Sequence, residues 1–164
     1  MGPAPDILVS VSSDGGPSFR LWPPVAVGGP LVLGILVSAW VGDPLDASPM
    51  TAGLGWLLVA AFAVWNGWAL IMIARHQTGL LPGGETTTVI DRGPFAWSRN
   101  PLYVGLLVGS AGVALLATSV WALVALPLEW ALLRWGAVVP EEQYLTAKFG
   151  SSYTEYAGRV RRWL

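Results

Sequence analysis

The sequence predicts an all-α fold, a polytopic membrane protein in which about four helices cross the bilayer. Two observations lead to this fold class. Hydrophobic residues make up 54% of the 164 residues and charged residues only 12%, whereas about 25% of the residues in an average soluble domain are charged. The apolar residues are also concentrated in long runs, which are typical of helices that span a membrane.

Four apolar runs approach or meet the length, roughly 17–25 residues, that a spanning helix needs. The third run is short, and only Ser119 separates it from the fourth. These two helices are therefore expected to form a very tight hairpin. The fourth run contains two charged residues, Glu129 and Arg134. The runs are residues 24–41, 53–74, 102–118 and 120–139.

Residues 1–23 are rich in Gly, Pro and Ser, and they lack the basic flank and apolar core of a signal peptide. They are predicted to form a flexible tail. Residues 24–164 are predicted to form a single transmembrane domain.

The basic residues predict the orientation in the membrane. The loop between the first two runs contains Asp43 and Asp46 but no Lys or Arg, and the hairpin tip is uncharged. Every Lys and Arg lies towards the ends of the chain or in the loop 75–101. With an even number of spans, these segments all lie on the same side of the membrane, opposite the loop with Asp43 and Asp46. Cytoplasmic segments carry an excess of basic residues. Both termini and this loop are therefore expected in the cytoplasm, with the protein in the plasma membrane.

The composition excludes several kinds of site. The chain has no cysteine and one histidine, His76, which excludes disulfides, thiol nucleophiles and metal sites built from several histidines. No metal site is predicted. The net charge of −1 gives no indication of a nucleic-acid partner.

The tail 140–164 is predicted to be a broken amphipathic helix at the membrane interface. Pro140 is placed at a helix start, and Gly150 is expected to end this first helix. Ser152 and Glu155 resemble a capping box that begins a second helix.

Three groups of polar residues are candidates for function, each with a structural alternative. The pair Glu141-Glu142 suits the first turn of a helix, but a carboxylate there also accepts hydrogen bonds from a ligand. Arg99 is either an interfacial anchor or part of a site. Glu129, inside an apolar run, either pairs with another helix or serves a function.

The order of two motifs is more specific than any single residue. GPFAWSRNPLYVG, an apolar hairpin and PEEQYLTAKFGSSYTEYAGRVRRW follow one another along the chain. This order resembles the isoprenylcysteine carboxyl methyltransferase and phospholipid methyltransferase superfamily of integral membrane enzymes. The resemblance covers about residues 75–164, which would form the cofactor-binding core.

The resemblance implies an S-adenosylmethionine-dependent methyltransferase with a compact helical core. The methyl group would pass directly to a lipophilic or lipid-like acceptor that enters from the bilayer, with no general base required. The cofactor contacts implied by motif position are Thr87, Thr88, Val89, Ile90, Phe95, Arg99, Asn100, Pro101, Leu102, Tyr103, Glu141 and Glu142.

The chain departs from the family pattern at two places. Asn100 stands where the family has His, and Asn cannot become cationic. The Arg that holds the substrate carboxylate in prenylcysteine enzymes is absent. Arg134 is the nearest cation and a possible substrate contact. These departures weigh against a prenylcysteine carboxylate as the acceptor.

Two other functions remain open at this point. One is an intramembrane NADPH-dependent reductase, whose nucleotide phosphate would need an arginine pocket. The other is a small non-catalytic transporter in which Glu129 binds a proton or cation. The arginines available to the reductase are Arg159, Arg161 and Arg162.

Overall fold

The computed structural model describes residues 19–76 and 87–164, and it confirms the all-α prediction. No strand occurs within these two ranges. A 3₁₀ turn covers Gly93–Ala96 and a π turn covers Arg134–Val138. The α-helices are α1 (Pro23–Val41), α2 (Pro49–Arg75), α3 (Pro101–Leu116), α4 (Val120–Leu133), α5 (Val139–Phe149) and α6 (Ser151–Arg159).

Within residues 19–76 and 87–164, three helical stretches are long and apolar enough to cross a membrane. They are α1, α2 and the continuous stretch Val120–Phe149, which joins α4, the π turn and α5. The apolar helix α3 is shorter, with 16 residues. Large apolar side chains such as Leu33, Val64 and Val124 are exposed on the outer surface of the bundle, as expected where the solvent is lipid. The protein is therefore a multi-pass membrane protein.

The helices pack in two close pairs, α1 with α4 and α2 with α3, and α3 also contacts α4. Small residues allow the close approach. A Cβ atom on Gly34 of α1 would lie 2.5 Å from Cα of Ala122 in α4. On α3, Gly112 faces the backbone of Gly55, and Gly109 faces the ring of Phe62. The glycine face of α3 is thus filled by α2.

One end of the bundle is closed by a network around Asp43. Its carboxylate accepts hydrogen bonds from the Ser38 hydroxyl (2.7 Å) and from the backbone N–H groups of Leu45 and Val120 (both 2.8 Å). Burial raises the pKa of Asp43, but these hydrogen bonds outweigh it and hold the pKa below its ordinary value. Ser119 caps α4 through a 3.0 Å bond from the N–H of Ala122. The predicted tight hairpin is thereby fixed to the end of α1.

Pro140 lies in the first turn of α5, as predicted, but the chain runs from α4 through the π turn into α5 without a break. Pro140 has no N–H to donate to the carbonyl of Gly136, four residues earlier. The π turn absorbs this proline: the N–H of Val139 bonds to the carbonyl of Arg134, five residues back. The Gly136 carbonyl instead accepts the backbone N–H groups of Arg20 (2.9 Å) and Leu21 (3.2 Å).

The break between α5 and α6 lies at Gly150, as the sequence predicts. Gly150 has φ of +53°, in the region that glycine adopts without steric cost. The predicted capping box at Ser152 and Glu155 is wrong. Helix α6 begins at Ser151, its N-cap is Gly150, and no side chain caps it. The turn, and not a side chain, starts this helix.

Candidate functional site

A cavity of about 100 Å³ lies at the end of the bundle opposite Asp43. It is formed where the end of α2, the segment before α3, and helices α5 and α6 come together. The lining residues are Ile73, Thr88, Val89, Ile90, Phe95, Arg99, Glu141, Leu145, Tyr153 and Tyr156.

Six of the predicted site residues lie in this lining. The stretch Thr88–Ile90 has irregular backbone and forms one wall. Phe95 comes from the 3₁₀ turn, and Arg99 precedes α3. Glu141 projects from the first turn of α5, immediately after Pro140. Residues more than fifty positions apart in the sequence thus meet at one cavity.

Glu141 has one oxygen engaged and one available. Its Oε2 accepts a 2.8 Å hydrogen bond from the phenol of Tyr103, which is buried in α3. No described residue donates a hydrogen bond to Oε1 of Glu141. A carboxylate held at one oxygen in this way is oriented to accept a ligand's hydroxyl or ammonium group with the other.

Arg99 places a cation in the same lining. Its side chain is only 15% exposed, and its Nη1 lies 3.1 Å from Oε1 of Glu142. The Nε atom is buried, and within the described residues it has no hydrogen-bond partner. A buried guanidinium N–H without a partner is costly, which makes Arg99 a candidate ligand contact.

Glu142 faces away from the cavity and holds the C-terminal segment. Its carboxylate accepts a two-pronged ion pair from Arg162, with Nε–Oε1 of 3.0 Å and Nη2–Oε2 of 2.8 Å. Hydrogen bonding to Glu142 raises the pKa of Arg162 above its already high value. Glu142 therefore binds two arginines, Arg99 and Arg162, and the structure gives it a supporting position beside the cavity.

The other predicted contacts in the motif do not line the cavity. The Asn100 amide donates to the carbonyl of Arg162 at 2.9 Å. The carbonyls of Pro101 and Leu102 accept hydrogen bonds from side chains of α2, Trp65 Nε1 at 2.8 Å and Asn66 Nδ2 at 3.3 Å. These residues fix the start of α3. The remaining predicted residues outside the lining are Thr87, Tyr103 and Glu142.

Two tyrosines of α6, Tyr153 and Tyr156, line the cavity although they were not among the predicted cofactor contacts. The phenol of Tyr156 donates a 2.8 Å hydrogen bond to the carbonyl of Phe95. Burial, together with the negative charge of Glu142, raises the pKa of Tyr153 to about 12, so its phenol stays neutral at physiological pH. Their spacing of three residues puts both on one helix face, and both lie within the second motif, PEEQYLTAKFGSSYTEYAGRVRRW. Ile73 and Leu145 complete the unassigned lining.

The remaining candidate residues lie away from the cavity lining. The guanidinium of Arg134 lies over the Trp130 ring, 5.6 Å from its centroid. Glu129 is buried between α3 and α4, where Oε1 accepts a 2.9 Å hydrogen bond from Ser110. Arg159 and Arg161 line a separate groove at the chain's C-terminal end. The arginine pocket considered for a reductase is thus divided between two places.

The fold and the cavity define a polytopic membrane protein with a cavity of mixed polar and apolar lining at one end of its helix bundle. The family model of the phospholipid methyltransferases matches residues 50–152, more than half of the chain. The chain therefore belongs to the phospholipid methyltransferase family.

Two curated proteins are similar to the chain. The cobalt-zinc-cadmium resistance protein CzcN of Cupriavidus metallidurans is 30% identical over 123 residues, which are 75% of this chain and 52% of that protein. The nickel-cobalt-cadmium resistance protein NccN of Alcaligenes xylosoxydans xylosoxydans is 28% identical over 123 residues, 75% of this chain and 53% of that protein. The chain spans about half the length of these relatives.

Proposed function

We propose that the protein is an integral membrane methyltransferase that transfers a methyl group from S-adenosylmethionine to a lipophilic acceptor. The observation that carries the proposal is that two charged residues with unused hydrogen-bonding capacity line one cavity. Glu141 has one carboxylate oxygen that accepts no hydrogen bond from a described residue, and the buried Nε of Arg99 has no partner among these residues. Membership of the phospholipid methyltransferase family supports the same chemistry.

The polar groups of the cavity fit the groups of this methyl donor. S-adenosylmethionine carries ribose hydroxyls, an ammonium and a carboxylate, which call for an acceptor and a donor close together. Glu141 is the acceptor for a hydroxyl or the ammonium, and the Arg99 guanidinium is the donor for the carboxylate. The apolar side chains of Ile90 and Phe95 would pack against the adenine and the thioether portion.

The protein's contribution to the reaction would be alignment and exclusion of water. The bound donor supplies an already activated methyl group, so no covalent enzyme intermediate is needed. Tyr103 fixes the Glu141 carboxylate, and Tyr156 fixes the 3₁₀ turn that carries Phe95. Side chains held in this way keep the reacting groups in one geometry, which contributes several kcal/mol to catalysis in general.

The donor and the acceptor would reach the cavity from different directions. The cavity would face the cytoplasm, where the polar donor is available, and the acceptor would arrive from the bilayer that surrounds α1–α4. Residues 24–164 would act as one methyltransferase-like domain in the plasma membrane, with residues 75–164 forming the cofactor core. Asn100, Pro101 and Leu102 would support this core from the start of α3.

Calorimetry on the purified protein in detergent tests the proposal. We expect S-adenosylmethionine to bind at micromolar concentration and Glu141→Ala to weaken binding at least about tenfold, the loss expected for a charged hydrogen bond. Gln143→Ala, an exposed position on the same helix, is the matched control. Parallel titrations with NADPH and with zinc or cobalt ions separate methyl transfer from hydride transfer and from metal binding. Binding of NADPH alone would replace the proposal with a reductase.

A further inference from the structure

Residues Phe19–Trp22, referred to below as the docking segment, lie against the helix that carries Glu141. The backbone N–H groups of Arg20 and Leu21 both donate to the carbonyl of Gly136 in the π turn. Phe19 and Leu21 also pack against the buried core that includes Leu133 and Val138. The predicted tail, residues 1–23, thus contributes its last residues to the bundle, and residues 1–18 lie outside the described part.

The docking depends on a proline and a glycine. Pro140 cannot donate to the Gly136 carbonyl, so that buried carbonyl needs another donor. The docking segment supplies two. Gly136 also has no side chain, and a Cβ atom there would lie 2.7 Å from Cβ of Leu21, a distance that forces one of the two backbones to move. The sequence therefore leaves both the acceptor and the space for the docking segment.

The contact lies one helical turn from the candidate site. Pro140 is followed directly by Glu141, whose carboxylate lines the cavity. Tyr103, the hydrogen-bond donor to Glu141, belongs to the same core cluster that Phe19 and Leu21 pack against. A movement of the docking segment would change both the direction of α5 and the packing around the Tyr103 ring. π turns inside α-helices occur often at functional sites.

We propose that the docking segment is a positioning element for Glu141. By holding the Gly136 carbonyl, it fixes the register of the π turn and thereby the direction in which the carboxylate enters the cavity. The inference rests on the proposed function in one respect, that Glu141 binds the methyl donor. The segment itself is assigned no part in the chemistry.

A double-mutant cycle between Gly136 and Leu21 tests the proposal. We expect Gly136→Ala to displace the segment and to weaken S-adenosylmethionine binding at least about tenfold, since small displacements of positioned groups have large effects. Adding Leu21→Gly removes the Cβ atom that the new methyl group meets, so the double variant should regain most of the affinity. Gly158→Ala, which adds a Cβ into open space on α6, is the matched control and should bind like the wild type.

A second readout requires no methyl donor. The chain has no cysteine, so a single Leu145→Cys reports the cavity wall through its rate of reaction with a water-soluble maleimide, and Ser152→Cys on exposed α6 is the reference. Gly136→Ala should change the rate at position 145 several-fold, and Leu21→Gly should reverse this change. Hydrogen exchange at the amides of Arg20 and Leu21 shows whether the segment has been released.

The outcomes are distinguishable. If the wild type binds the donor, and Gly136→Ala releases the segment without altering affinity or the cysteine rate, the positioning role is wrong. If the wild type binds no donor, the proposed function fails, and the cysteine rates alone decide the positioning role. Should Gly136→Ala not fold, Pro140→Ala is the alternative variant, because it restores an N–H that competes for the Gly136 carbonyl without adding bulk.

Discussion

The phenol of Tyr103 donates a 2.8 Å hydrogen bond to Oε2 of Glu141 and so ties the start of α3 to the start of α5. The two residues lie 38 positions apart, one in the first turn of α3 and the other just beyond α4 and the π turn. The bond fixes the carboxylate rotamer and directs the other oxygen away from the phenol. The α3–α4 hairpin therefore helps to position the candidate site, because it brings the start of α3 next to the start of α5.

Tyr103→Phe should weaken S-adenosylmethionine binding while leaving the fold intact. The variant keeps the buried ring but removes the donor to a carboxylate, and a hydrogen bond to a charged group contributes roughly 1.5–3 kcal/mol. We expect the dissociation constant in calorimetry to rise about tenfold, the lower part of that range. Tyr144→Phe on the outer side of α5 serves as the control. An unchanged dissociation constant in Tyr103→Phe would show that the carboxylate needs no orientation.

Glu142→Gln should lower the free energy of unfolding of the protein. The Glu142 carboxylate pairs with both Arg99 and Arg162. The side chains of Glu142, Arg99 and Arg162 are 14%, 15% and 32% exposed, respectively. Removing one partner of a fully buried ion pair costs roughly 3–5 kcal/mol. For this partly buried cluster we expect a loss of about 2 kcal/mol in the free energy of unfolding, measured by reversible denaturation in mixed micelles.

Arg92→Gln is the matched comparison for this cluster. Arg92 lies 4.0 Å from Asp91 with a side chain that is 84% exposed, and such surface pairs contribute about 0–1 kcal/mol. We expect its unfolding free energy to stay within about 0.5 kcal/mol of the wild type. Equal losses in Glu142→Gln and Arg92→Gln would mean that the Glu142 cluster is screened like an ordinary surface pair.

Local signals predicted the membrane helices well. A spanning helix must satisfy its backbone within itself and expose apolar side chains over its whole length, so its signature is contiguous in the sequence. The tight turn after Thr118 and the break at Gly150 follow from residues at those same positions. Three of the six predicted residues that line the cavity, Phe95, Arg99 and Glu141, lie within the two continuous motifs. The other three, in the stretch 88–90, lie just before the first motif. All six were implied by the resemblance to the methyltransferase superfamily.

Contacts between residues distant in the sequence determine the features that local sequence signals do not predict. Pro140 was predicted in a first helical turn, where its missing N–H is harmless, and only the docking of Arg20 and Leu21 shows how the continuous stretch from α4 to α5 accommodates it. Asn100 looked like a ligand contact, but its amide is engaged by the carbonyl of Arg162, 62 positions away. Tyr153 lines the cavity because α6 lies beside it. Each of these outcomes depends on a partner distant in the sequence.

Ser110→Ala should destabilise the bundle through Glu129. The Glu129 side chain is 0% exposed, Oε1 is bonded only to Ser110 among the described residues, and the buried Oε2 has no partner among them. Leaving a buried polar group unpaired costs about 1–3 kcal/mol. We expect a loss of about 1–2 kcal/mol in unfolding free energy in micelles for Ser110→Ala.

Glu129→Leu provides the counterpart to that variant. Replacing both members of a buried polar pair by apolar groups can be nearly neutral, so Ser110→Ala/Glu129→Leu should be more stable than Ser110→Ala alone. Proton flux into proteoliposomes, measured for the wild type and for Glu129→Gln, addresses the transporter alternative. Flux that disappears in Glu129→Gln would assign this carboxyl a transport role in place of a structural one.

The stability of the protein should fall as the pH rises through the alkaline range, and Tyr153 should account for part of that fall. Burial and the charge of Glu142 raise its pKa in the folded protein to about 12, whereas an unfolded tyrosine titrates near pH 10. The folded state therefore favours the neutral phenol. Its contribution is fully present below pH 10 and is lost as the pH rises to about 12. Unfolding in micelles, followed at pH 8, 10 and 11, should show a shallower loss of stability for Tyr153→Phe than for the wild type, and identical slopes would contradict the assignment.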